Sequence, residues 1–102
     1  MAKYLIEWKN RDGWAGDEAQ ARRLLDVFSK WTPAAANILQ MVSRVDDNGG
    51  VSIVETDDVT DILRDVSKFS VWLEFTVTPV IDITDAVPLY NEAIDYLDSI
   101  PK

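Results

Sequence analysis

The chain has 102 residues, of which 47% are apolar, enough for one hydrophobic core. A formal net charge of −8, with basic side chains scattered and only Arg22-Arg23 adjacent, argues against nucleic acid and anionic lipid as partners. The absence of His and Cys excludes thiol nucleophiles, the usual zinc and haem ligation, Ser-His-Asp triads and His-based acid–base catalysis within one chain.

Residues 3–9 alternate, with Tyr4, Ile6 and Trp8 on one side and Leu5, Glu7 and Lys9 on the other, the period of a strand. Residues 10–16 read as a loop broken by Gly13 and Gly16. Asp17, with Gln20 three residues on, resembles a capping box that opens a helix. Ala21, Leu24, Leu25, Phe28 and Trp31 form its apolar stripe, and Thr32-Pro33 ends it. Residues 36–45 and 51–56 read as strands two and three. Asp46-Asp47-Asn48-Gly49-Gly50 between them is a turn whose Asx and Gly residues supply positive φ. Asp57 or Asp58 caps a second helix with the stripe Val59, Ile62, Leu63, Val66 and Phe69. Strand four is expected over 71–82, with Val71, Leu73, Phe75 and Val77 toward the helices and Trp72, Glu74, Thr76 and Thr78 on the opposite side. Thr84 or Asp85 caps a last helix with Pro88 near its first turn; Leu89, Ala93, Leu97 and Ile100 form the face it would bury.

That order is two βαβ-like halves, the ferredoxin-like α+β plan. It places two helices on one face of a four-stranded antiparallel sheet and adds a C-terminal helix. One domain over 1–102 is expected, with core 3–83 and a helical segment over 84–100. The uncovered sheet face carries apolar residues, and a second copy packed sheet on sheet would cover it, so a homodimer through that face is expected. No stretch approaches the roughly 20 apolar residues that span a bilayer. Nothing at the N-terminus reads as a secretory signal, so a cytoplasmic location is expected.

Tyr4-Leu5-Ile6-Glu7-Trp8, Ser43-Arg44-Val45-Asp46, Val54-Glu55-Thr56-Asp57-Asp58 and Phe75-Thr76-Val77-Thr78-Pro79-Val80 carry a resemblance. Together they resemble an uncharacterised bacterial family of small ferredoxin-like proteins, a domain of unknown function, over nearly the whole chain to about residue 85. The resemblance implies a dimeric α/β barrel. It also implies kinship with a superfamily that includes cofactor-free monooxygenases, haem-degrading enzymes and chlorite dismutases. The haem-degrading members use a His on the second helix; this chain has none.

Trp8, Trp14, Trp31 and Trp72 are the first candidate constellation, and the functional reading is that some of them line a cavity between the helices and the sheet or inside the dimer barrel. Trp is buried mostly for packing, which makes Trp8, Trp31 and Trp72 core or interface residues. Trp8 and Trp72 are also the residues to line an apolar pocket, with Asn10 contributing an amide at the end of the first strand. Glu7 and Glu74 lie on neighbouring strands, where paired carboxylates would raise one pKa. The plainer reading is an inert ion-pair network with Lys9 or Arg44. Asp57, Asp61 and Asp65 fall on one helical stripe but serve capping and a solvated face rather than a metal. Ser52, Ser67 and Ser70 lack a base, and Gly49-Gly50 precedes a strand rather than an anion-binding helix.

The expected function is a non-catalytic small-molecule-binding or interaction module, without cofactor or metal. Its ligand-binding candidates are Glu7, Trp8, Asn10, Trp72 and Glu74. A cofactor-independent monooxygenase-like enzyme and a structural dimer docking a protein partner are the alternatives.

Overall fold

A computed structural model describes residues 1–14, 16–35 and 37–102. The alternating N-terminal segment forms β1 (Ala2–Asn10), followed by α1 (Glu18–Ser29), β2 (Asn37–Ser43), β3 (Gly50–Thr56), α2 (Thr60–Val66), β4 (Leu73–Val80) and α3 (Ile83–Asp98). The strands lie in the order β2-β3-β1-β4, with every neighbouring pair antiparallel. This is the ferredoxin-like α+β arrangement that the element order predicts. Ala36, the expected start of the second strand, and Ala15, in the expected loop, lie outside the described residues.

Asp17 caps α1 by accepting a hydrogen bond from the Gln20 backbone N–H at 3.1 Å. The β2–β3 turn closes through Arg44 N–H to the Gly49 carbonyl at 2.9 Å, with Asp47 at φ 62° and Gly49 at φ 107°. Leu39 is the extra residue of a bulge in β2, where pairing with β3 slips between Ile38 and Gln40. Bulges of this kind blunt an edge strand.

Register sets the faces. Trp8 lies opposite Gly50 on β3 and Phe75 on β4, and Ile6 opposite Ser52 and Val77. Ile6, Ala35, Val54 and Ile62 form the buried core, flanked by Tyr4, Trp8, Ile38, Val66 and Phe75. Leu5, Glu7, Lys9, Val51, Ile53, Glu74 and Thr76 therefore face the other side.

Three expectations need correction. Strand four begins at Leu73, two residues late, because the chain leaves α2 through successive tight turns. Val71 in that turn is 71% exposed, whereas Trp72 is 7% exposed and does not lie on the open sheet face. Leu73, Phe75 and Val77 keep the expected phase. Second, α2 is short, ending at Val66, and Val59 and Leu63 point outward while Ile62 and Phe69 are buried. Third, the face of α3 expected to be buried, with Leu89, Leu97 and Ile100, is exposed in the single chain. Among its residues only Ala86 is buried, and Pro88 sits inside the helix rather than at its first turn. The radius of gyration is 18.3 Å and the long axis 63 Å, against about 13 Å for the radius of a compact chain of this length. The helix projects from the sheet, and Lys3 Nζ holds Asp82 at its base at 2.7 Å.

Candidate functional site

The apolar stripe of α1 faces the sheet but does not close on it. None of the α1 residues is buried; Leu25 is 67% and Phe28 49% exposed. Between this helix and the sheet lies a cavity of about 740 Å³, within the roughly 300–1,000 Å³ range of small-molecule sites. Its inner wall is made by Ile6, Val54 and the buried Phe69, and the half-buried indoles of Trp8, Trp14 and Trp31 line it.

Trp8 is seated by glycine. A Cβ on Gly50 would lie 2.5 Å from Trp8 Cζ2 and 2.3 Å from the Val42 carbonyl oxygen; one on Gly49 would lie 1.9 Å from the Trp8 carbonyl oxygen. The Gly-Gly pair therefore serves more than the turn: it lets the indole lie against the sheet backbone.

Trp31 is fixed from behind by Asp65 of α2. Asp65 Oδ1 accepts hydrogen bonds from Trp31 Nε1 at 3.1 Å and Ala34 N–H at 2.8 Å, and Oδ2 accepts one from Ala35 N–H at 3.1 Å. This acid is no solvated helix residue, as the sequence suggests; it is buried and ties the segment before β2 to α2. Trp31 packs edge-on to Phe69 with centroids 5.3 Å apart, and Phe28 lies 5.8 Å from Trp31. Trp14 is held by its Nε1, which donates to the Trp72 carbonyl at 2.6 Å.

The five sequence candidates do not converge. Trp8 and Asn10 line the cavity. Asn10 Nδ2 donates to the Asp47 carbonyl at 3.1 Å, tying the end of β1 to the β2–β3 turn. Trp72 is buried outside the cavity lining, with its indole N–H donating to Gln20 Oε1 at 2.9 Å. Glu7 and Glu74 lie on the opposite sheet face. Glu7 pairs in register with Thr76, so Glu74 sits diagonal to it and faces Lys9, at 3.6 Å. Arg44 belongs to the turn, where it pairs with Asp46. The lining residues outside those five, notably Trp14, Trp31, Phe28 and Phe69, carry one sequence signal, aromatic density on the faces turned toward each other.

Among the described residues, every ionisable group lining the cavity is acidic: Asp17, Glu18, Asp47 and Asp65. Asp46, Asp58 and Lys3 have shifted titrations. The Arg44 guanidinium, helped by the Asn48 N–H, holds the Asp46 carboxyl below its ordinary value. The Thr60 hydroxyl and N–H do the same for Asp58, and the hydrogen bond to Asp82 raises Lys3. No group of three or more carboxylates among the described residues is placed to hold a metal ion. Among the described residues no helix is long and apolar enough to cross a membrane.

The chain matches no curated protein. A family match spans residues 2–94, extending beyond residue 85 well into α3. An antiparallel β2-β3-β1-β4 sheet carrying this aromatic cavity is thus the setting in which the chain belongs to the family described as Domain of unknown function (DUF3303).

Proposed function

We propose that the protein is a small-molecule-binding module that holds a largely apolar ligand between α1 and the sheet. The observation that carries this reading is the 740 Å³ aromatic cavity beneath a helix with no buried residue. A helix that leaves its own apolar stripe half in water has surface to gain from a guest, at about 25 cal/mol per Å² of apolar area covered. The reading is of binding rather than turnover, because Asp65, the buried acid of the lining, has both oxygens engaged by protein N–H groups. Calorimetric titration with neutral aromatic compounds tests it. Wild type is expected to bind, and Leu24→Trp, which fills the cavity from α1, is expected to abolish binding while leaving the far-UV spectrum intact. No binding by wild type at millimolar ligand sinks the proposal.

The module acts as a homodimer in this reading. The open sheet face presents Leu5, Val51 and Ile53, and α3 carries Ile94 and Leu97 more than half exposed. A helix of about 24 Å with exposed apolar side chains and no cover from its own chain favours a second copy as cover. Sedimentation velocity is expected to give twice the chain mass, and Ile94→Glu with Leu97→Glu to shift it toward monomer without unfolding. A wild-type monomer at micromolar concentration removes the dimer.

A further inference from the structure

We propose that the ligand of this cavity is an organic cation, an ammonium group carried on an aromatic or aliphatic body; this rests on the small-molecule reading above. The body follows from the walls, since Trp8, Trp31 and Phe69 offer flat apolar surface. The charge follows from what surrounds them. The four ionisable lining residues are all carboxylates, and no Lys or Arg lines the cavity among the described residues.

The positions of these acids matter. Asp17 at the entry of α1 and Asp47 in the β2–β3 turn are exposed, so they stand at the cavity's solvent side. Neither is in an ion pair among the described residues, whereas Glu18 is held by Arg22 at 2.6 Å and Asp65 Oδ1 has Lys68 Nζ, from outside the lining, at 3.8 Å. Asp17 uses Oδ1 for the Gln20 N–H, which leaves Oδ2 for a ligand. Asp65 acts from behind. By accepting the Trp31 indole N–H, it pushes electron density into that ring and strengthens the attraction of the ring face for a cation. A carboxylate or phosphate ligand would enter this field against repulsion and without a cationic partner. The net charge of −8 adds long-range steering of the same sign.

The test uses three probes of like size on the full chain by calorimetry: tryptamine (cation), indole-3-ethanol (neutral) and indole-3-propionate (anion). Tryptamine is expected to bind at least about tenfold more tightly than indole-3-ethanol, from cation–π and partly screened carboxylate contacts together, and indole-3-propionate to bind most weakly. Asp17→Asn with Asp47→Asn keeps the helix cap and tolerates the positive φ of position 47. This variant is expected to bring tryptamine within about threefold of the neutral probe, read as the ratio of the two affinities measured on the same variant. Asp95→Asn with Asp98→Asn removes the same number of charges from α3, outside the cavity, and is expected to keep the preference. Equal binding of cation and neutral probe overturns the cation inference and leaves the small-molecule reading standing. Failure of all three probes removes both. Equal loss of preference in the two double variants overturns the site in favour of the overall field of the acidic chain.

Discussion

Removing the Asp65 carboxylate is expected to destabilise the fold more than any other single truncation outside the apolar core. Asp65→Ala strips the acceptor from three N–H donors at 2.8–3.1 Å. Hydrogen bonds to a charged acceptor contribute about 1.5–3 kcal/mol each, and a buried donor left unpaired costs about 1–3 kcal/mol. The three do not add in full. Trp31 and Ala34 are half-buried, and water can replace the carboxylate there; Ala35 is buried and has no such substitute. Lys68, 3.8 Å away and half exposed, is left in solvent at little cost. The expected loss is therefore about 3 kcal/mol, set by the Ala35 donor with a part contribution from the other two. Against a total of roughly 5–15 kcal/mol for a chain of this size that is a large share, and it corresponds to a fall in Tm of roughly 12–24 °C. Urea unfolding followed by far-UV circular dichroism measures it. Asp65→Asn is the companion: its oxygen can keep the two donors now on Oδ1, while its amide meets the Ala35 N–H, so a smaller loss of about 1–2 kcal/mol is expected. A loss below about 1 kcal/mol for Asp65→Ala refutes the view that this carboxylate holds the 31–35 segment in place.

Two further outcomes follow from the geometry. Gly50→Ala places a Cβ against both the Trp8 indole and the Val42 carbonyl, and should cost about 1–3 kcal/mol by overpacking and change the tryptophan emission. Gly13→Ala, where φ is positive but a Cβ meets nothing within 4 Å, should cost only about 1 kcal/mol and leave the emission alone. If the two variants melt alike, Gly50 does not seat Trp8. In a pH series, the native carboxyls of Asp46 and Asp58 are depressed, so the unfolded chain binds more protons at low pH. Their contribution is present above the ordinary carboxylate value and is lost as pH falls through the native values. Lys3 is raised, so its contribution is complete below the ordinary lysine value and is lost as pH rises through the native one. Denaturation midpoints should accordingly decline at both extremes. Asp46→Asn with Asp58→Asn should flatten only the acid limb and Lys3→Met only the alkaline one; unchanged limbs would show these exposed pairs to be inert.

The cavity and the projecting helix are both cases of apolar surface that the single chain does not cover. In α1 the stripe points at the sheet and stops short of it; in α3 Leu89, Ile94 and Leu97 are left exposed by the described residues. The guests proposed for the two differ because the surroundings differ. The first is concave, aromatic and ringed by acids, which suits a small cation. The second is a long convex helix with exposed apolar side chains, which suits another protein surface.

The elements and their order are legible in the amino-acid pattern. Period-two alternation in β1, the Asp17 cap, the Asp46–Gly50 turn signal and the inward phase of Leu73, Phe75 and Val77 all depend on interactions within a few residues, and these are legible locally. Depth and register come from packing between segments distant in the chain. Helical periodicity names the face a helix turns inward but not how far it stands off, so α1 and its stripe left no trace of a 740 Å³ gap. An aspartate in a helix reads as solvated until a neighbouring segment brings three N–H donors to it, as happens to Asp65. The distance between Glu7 and Glu74 depends on how two strands align, and a tight turn before β4 put Trp72 in the interior instead of on the open face. Local pattern fixes which way a side chain points; what it meets there is set by chain segments distant in sequence.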